Sequence, residues 1–398
     1  MKRQKGRLAE IELVRVLTAL CVVLLHTLGY FQGVDAPATA AHWLDQILIE
    51  ALRFSRQVFM LITGLVLAYA YRDWSPRPAD FWRKRARGLA LPYALWTVGY
   101  LALSQIYRIQ TFSGSWFIVV AGALVRGDGF YHLYYLVVTL QFYLIFPWII
   151  AWLRGIRGKR VVLLTVVGVG VGYTGVMAFL ATHPWGLGLS GGSRLYALAE
   201  RVYFYRDRLL ITYLPYFVLG AVAGLHLEAF QNLARRYRGW ILGASVAVGG
   251  YLAERWMTRV WTGRESFDTF VTVFRPAMFF YSLAMFTLLY LVARRLAAAR
   301  GTLAAALKAM APYTFGIYLL HPLVLFFLEK YVLYAFTELH PLLIVPLWLA
   351  AVGISFEMVK AAAGTSLGCA LFGLKTPVPS AAPAGTFTPN LAPVEQVR

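Results

Sequence analysis

The sequence predicts an all-α, polytopic membrane protein with about ten transmembrane helices and both termini in the cytoplasm. Three observations predict it. Of 398 residues, 60% are hydrophobic and 14% charged, with a mean hydropathy of +0.62, whereas soluble domains average about 25% charged. Ten apolar runs approach the ~20 residues that cross a bilayer. Their connections alternate in basic content, with 21 Lys/Arg on the amino-terminal side against 9 on the other, and the positive-inside rule then puts both ends in the cytoplasm.

The first run, 11–31, follows the basic residues 2–7, carries Glu12 and Arg15 and lacks a small-residue cleavage pattern, so it is expected as a retained helix rather than a signal peptide. Runs 44–71, 88–107, 133–153, 161–181 and 209–227 follow, each near spanning length. Run 240–253 is the shortest, and 270–293, 312–334 and 341–363 complete the set. Residues 375–398 hold five prolines with Ala and Thr and no periodicity. They are expected as a disordered cytoplasmic tail to a transmembrane domain of residues 1–374.

The net charge of +20 is spread over short connections, which suits topology and not a nucleic-acid face. Cys21 and Cys369 both sit in apolar runs, so neither a disulfide framework nor a thiolate metal site is expected. No His and carboxylate cluster has helical ligand spacing, and no metal is expected.

Arg15 and His26 stand out because ionisable side chains at membrane depth are costly and retained for work. Eleven positions at ~100° each make three turns plus about 20°, so the two share one helix face. They stand roughly 16 Å apart along the axis, about half the hydrocarbon core. The connections 182–208 and 254–269 are rich in Tyr, Trp and Arg, among them Trp185, Arg194, Tyr196, Arg201, Tyr203, Tyr205, Arg206, Arg208, Arg255, Trp256 and Trp261. Such aromatics suit either sugar rings or the membrane interface.

Several short motifs fall in order along the chain. They are Arg15-VLTALCVVLL-His26; Arg53 to Gly64, an Arg-x10-Gly spacing with Thr63 before the glycine; Phe81-WRKRARGLAL-Pro92-Tyr93; His132-LYYLVVTLQFYLIF-Pro147; and Thr314-FGIYLL-His321-PLV-Leu325. Together they resemble the acyltransferase-3 family of integral-membrane acyltransferases over residues 11 to about 325. The chain departs from that pattern at Thr63, where the family often has Ser, and at Gln57, where Pro is frequent. The fourth- and ninth-helix runs look like the branch acting on exopolysaccharides, which includes proteins described as poly-N-acetylglucosamine exporters.

The resemblance implies transfer of an acyl group, most simply acetyl, from cytosolic acyl-CoA to a hydroxyl of a cell-envelope glycan or another acceptor, at the plasma membrane. Acyl-CoA is a co-substrate, and no bound cofactor is implied. Donor phosphates need cations. Arg83, Lys84, Arg85 and Arg87 form a cluster on the expected cytoplasmic side, beside a helix start at Gly88, and Arg15 shares that side. Arg15, Arg53, Arg85 and Arg87 are the expected donor-binding groups, and Thr63, Gly64 and His321 are candidate cavity residues. An imidazole suits proton transfer near neutral pH, so His26 is the expected general base; a covalent acyl-His route stays open beside it.

His42, His183, His226 and His340 lie near run boundaries and join no constellation. Walker A, Gly-x-Ser-x-Gly, His-Glu-x-x-His and His-x4-Asp signatures are absent, which removes the ATPase and hydrolase readings. The alternative is a non-enzymatic polysaccharide exporter, since charged cavities between many helices also serve transport. The acyl group (acetyl or succinyl), the acceptor, the side of the chemistry and the oligomeric state are left open by the sequence.

Overall fold

The computed structural model describes residues 8–34, 39–73, 77–109, 112, 114–156, 158–182, 194–265, 275–332 and 341–374. Trp185, His183, His340, the basic residues 2–7 and the tail 375–398 lie outside them. The described residues are helical almost throughout and contain no strand. Among the described residues, nine helical stretches are long and apolar enough to cross a membrane.

The first span is helix α1 (Ala9–Val34). The second, expected as one run, is two helices, α2 (Ala40–Leu52) and α3 (Ser55–Ala70), broken at Arg53 and Phe54. The third begins as α4 (Pro78–Arg85), with Pro78 in the first turn, where its missing N–H costs nothing, and Asp80 near the helix N-terminus. It widens into a π turn at Ala86–Ala90, where Leu91 N–H reaches back to the Ala86 carbonyl, and continues as α5 (Leu91–Ile106). A proline ring clashes with the carbonyl four residues back, so the wide turn just ahead of Pro92 is where the ring is accommodated. The helix start expected at Gly88 is thus at Pro78, and residues 83–87 lie on a continuous helical stretch.

A short apolar helix, α6 (Trp116–Arg126), not anticipated from the sequence, ends on Gly127 at φ 73°. A side chain there would also strike the Tyr134 backbone. Then come α7 (Tyr134–Gly155), α8 (Lys159–Thr182), α9 (Arg194–Phe204), α10 (Leu210–Leu225), α11 (Leu227–Arg236) and α12 (Arg238–Trp256). The remainder is α13 (Pro276–Ala298), α14 (Thr302–Met310), α15 (Thr314–Tyr331), α16 (Ile344–Ala362) and α17 (Ser366–Phe372).

Helix α12 covers the shortest expected run and is the stretch that falls short of the nine in apolar content. Arg15 near the start of α1 and Leu374 just after α17 line one cavity. The two described ends of the chain therefore meet at the same cavity.

Helix α1 is the centre of the bundle, packed against α2, α3, α13, α15 and α16. Its buried Thr18 and Thr27 donate their hydroxyls to the Val14 and Val23 carbonyls, at 2.7 and 2.9 Å, so neither leaves an unpaired donor in the core. The closest helix pair is α3 with α10. A Cβ on Gly64 would strike the Phe217 carbonyl, and one on Gly220 or Gly224 would strike the carbonyls of Leu61 or Leu65. Small residues four apart let two backbones touch where lipid offers no hydrophobic drive between helices.

Candidate active site

Two cavities lie on either side of one aromatic wall. The larger, about 760 Å³, is lined by Arg15 of α1, Thr63 of α3, Arg83, Lys84, Arg85 and Arg87 of the third span, Thr139 and Tyr143 of α7, and Thr314 of α15. The smaller, about 400 Å³, is lined by His26 of α1, Arg53, Ser55 and Arg56 at the α2–α3 break, Tyr131, His132 and Tyr134 at the start of α7, and Asp207. Phe59, Tyr135 and Tyr318 line both. The face shared by Arg15 and His26 therefore runs from one cavity into the other.

In the larger cavity, the Arg85 guanidinium sits 5.4 Å from the Phe81 ring and 5.0 Å from the Tyr143 ring. Its Nε is buried and has no hydrogen-bond partner. Trp82 Nε1 donates to the Tyr143 carbonyl at 3.1 Å and holds this stretch against α7. Arg83 and Asp80 form an exposed pair at 3.8 Å, and Arg83, Lys84 and Arg87 reach solvent. The cavity thus has a basic mouth open to solvent and an inner end walled by Phe59, Tyr135 and Tyr318, and guanidinium groups at such a mouth suit anionic oxygens.

In the smaller cavity, His26 stacks on His321 with centroids 5.5 Å apart and planes 26° apart, and it leans on Tyr131 at 4.7 Å. His132 meets His321 edge-on at 5.6 Å. The His321 Nδ1 lies 3.2 Å from the Ile317 carbonyl, which can only accept, so that nitrogen carries the proton and Nε2 keeps a lone pair. Burial, then the neighbouring His321 and His26, holds His132, just ahead of α7, well below the ordinary histidine range. Its carbonyl accepts from the Tyr318 hydroxyl at 2.5 Å. Arg56 donates to Tyr134 Oη at 2.5 Å, and Arg53 lies 3.9 Å from Glu50.

The structure brings Arg15, Arg85, Arg87 and Thr63 into one cavity and His26 into the other. Arg53 lies with His26 rather than with Arg85 and Arg87, because it sits just before the start of α3, at the opposite end of that helix from Thr63. Gly64 lines neither cavity, since its face is pressed against α10. His321 backs His26 from a fully buried position. Sequence reasoning missed Arg56, His132, Tyr135 and Tyr318 as site residues, although each stands inside a motif run quoted above.

Among the described residues no group of three His, Cys, Asp or Glu side chains could hold a metal ion. Trp256, expected on an outer loop, is buried against Trp43 at 5.5 Å and donates to Gln46 at 3.2 Å, so it packs and does not present a sugar platform.

The family described as "Acyltransferase domain" matches residues 8–358, which takes in all of the His26 cavity, the three residues of the shared wall and the basic cavity apart from Cys369, Gly373 and Leu374. The chain belongs to the acyltransferase-3 family. It is 25% identical over 331 residues to the "Putative membrane-bound acyltransferase YfiQ" of Bacillus subtilis (strain 168), covering 79% of this chain and 80% of that protein. No solved structure matches the chain at a significant level. An acyltransferase of this family embedded in a bilayer takes an acyl donor and an acceptor. The non-enzymatic exporter reading gives way to that of an acyltransferase.

Proposed function

We propose that this acyltransferase moves an acetyl group from cytosolic acetyl-CoA to a hydroxyl of a cell-envelope glycan in the plasma membrane, with His26 as general base. The observation that supports this reading is that the basic cavity and the His26 cavity meet at one wall, on the helix face that Arg15 and His26 share. Arg85, Arg87, Arg83 and Lys84 bind the CoA phosphates, and the thioester points inward past Arg15. The acceptor hydroxyl enters from the His26 side. Its oxygen adds to the acyl carbon as its proton passes to His26; the tetrahedral oxyanion so formed collapses with cleavage of the carbon–sulfur bond, CoA leaves as a thiolate that takes up a proton on the donor side, and His26 returns its proton to water on its own side. Arg56, hydrogen-bonded to Tyr134 in the same cavity as His26, stabilises that oxyanion. Tyr131 and Tyr134 offer ring faces to a sugar. Basic connections on the Arg15 side support a cytoplasmic donor mouth and cytoplasmic termini.

The test is transfer of label from acetyl-labelled acetyl-CoA to envelope glycan by the purified protein in liposomes, wild type beside His26→Ala. Transfer by wild type alone supports the reading. Equal transfer by a well-folded His26→Ala protein removes the base assignment, and no transfer by wild type removes the donor or the acceptor.

A further inference from the structure

The wall between the cavities is built the same way on three helices. On α3, α7 and α15, one aromatic residue lines both cavities and a threonine one turn away lines the basic cavity alone: Phe59 with Thr63, Tyr135 with Thr139, Tyr318 with Thr314. Thr63 and Thr139 donate their hydroxyls to the carbonyls of Phe59 and Tyr135, at 2.8 and 2.9 Å, and Thr314 donates to Ala311 at 3.0 Å. Their hydroxyl protons are spent on the helices, so beside the wall these three side chains present methyl groups next to the Phe59, Tyr135 and Tyr318 rings, with the buried Tyr135 hydroxyl as the one polar group left without a partner there. Such a lining suits a short acyl chain and its thioester carbonyl better than phosphate.

The Phe59 ring touches both tyrosines, with centroids 6.3 Å from Tyr135 and 6.5 Å from Tyr318, within aromatic contact range. Tyr318 is tied by its hydroxyl to the His132 carbonyl, and Tyr135 is buried. Phe59 is half-buried and, with no polar atom on its side chain, has no tether. It is the leaf of the wall that can swing.

We propose that Phe59, closing against Tyr135 and Tyr318, is the specificity-determining residue that sets the longest acyl chain able to pass from the donor cavity to His26. This rests on the acyl-transfer reading above. A small acyl group crosses with a modest turn of the Phe59 side chain, whereas a longer chain must hold the ring aside against the packed tyrosines throughout the reaction.

The test compares acetyl-, butyryl- and octanoyl-CoA as labelled donors to envelope glycan in liposomes, for wild type, Phe59→Leu, Phe59→Ala and Phe59→Trp. The octanoyl-to-acetyl ratio of kcat/KM is expected to rise at least ~10-fold in Phe59→Ala, the scale on which pockets discriminate chain length. It should rise by less in Phe59→Leu, and the butyryl-to-acetyl ratio should fall in Phe59→Trp. Opposite shifts from one position are not what a general folding defect produces, and Phe59→Leu keeps the test alive if the alanine variant misfolds. Unchanged ratios in variants that still transfer acetyl overturn the proposal and leave the enzyme reading intact. Loss of all transfer in Phe59→Leu also overturns it, because the ring would then serve the reaction and not chain length. Absence of transfer by wild type from all three thioesters overturns the acyl-transfer reading itself, and the gate with it.

Discussion

His26 of α1 and His321 of α15 stack with ring centroids 5.5 Å apart, and the His321 proton is fixed on Nδ1 by the Ile317 carbonyl. The stack packs one face of the His26 ring, and His26 lines the cavity that also contains Arg53 and Arg56. Replacing His26 with Ala is expected to lower kcat by about 10²–10⁴, the range for loss of a general base. His321→Asn, whose amide can still donate near Ile317, should retain more activity than His321→Ala. Steady-state kinetics on the reconstituted variants decide both, and equal kcat for His26→Ala and wild type would refute the first.

Arg85 Nε is a buried donor without a partner beside the exposed Arg87. The double variant Arg85→Ala, Arg87→Ala should raise KM for acetyl-CoA by about 10- to 100-fold, since one charged hydrogen bond contributes about 1.5–3 kcal/mol. The kcat should change little, because the guanidinium groups lie on the far side of the wall from His26. A KM indistinguishable from wild type would place the phosphates elsewhere.

Arg56 donates to Tyr134 in the His26 cavity, and its proposed role as oxyanion donor is testable apart from charge. Arg56→Lys keeps the charge and loses the planar fork. It should lose kcat by about 10²–10³, as removal of an oxyanion donor does, while KM for acetyl-CoA stays near wild type. A parallel loss in KM alone would make Arg56 a binding residue instead.

The α3–α10 contact gives a stability prediction with an internal control. Gly64→Ala and Gly220→Ala push a methyl into backbone carbonyls and should destabilise by at least about 1–3 kcal/mol, the scale of overpacking. Thermal unfolding in detergent should fall by several degrees. Gly175→Ala on α8 meets nothing within 4 Å and should be neutral or slightly stabilising, because Ala is favoured over Gly in a helix by about 1 kcal/mol. Equal effects at the three positions would contradict the close approach of α3 and α10.

Hydropathy determined the fold class, because each span satisfies its own backbone hydrogen bonds and must be apolar over a bilayer's thickness, both local properties of the chain. The Arg15 to His26 spacing was legible for the same reason, since helical periodicity puts both on one face before any neighbour arrives. Residues 83–87 were legible as a basic cluster through composition alone. Which helix faces meet was not legible, because periodicity says what one helix presents and nothing of what it meets. Only tertiary packing gathered His132 and His321 around His26, brought Arg53 and Arg56 to the same cavity, and turned Gly64 away from the cavity into α10. Contact between distant helices is fixed by small residues that permit backbone approach and by the rings that fill what remains, and those terms act only when the helices assemble.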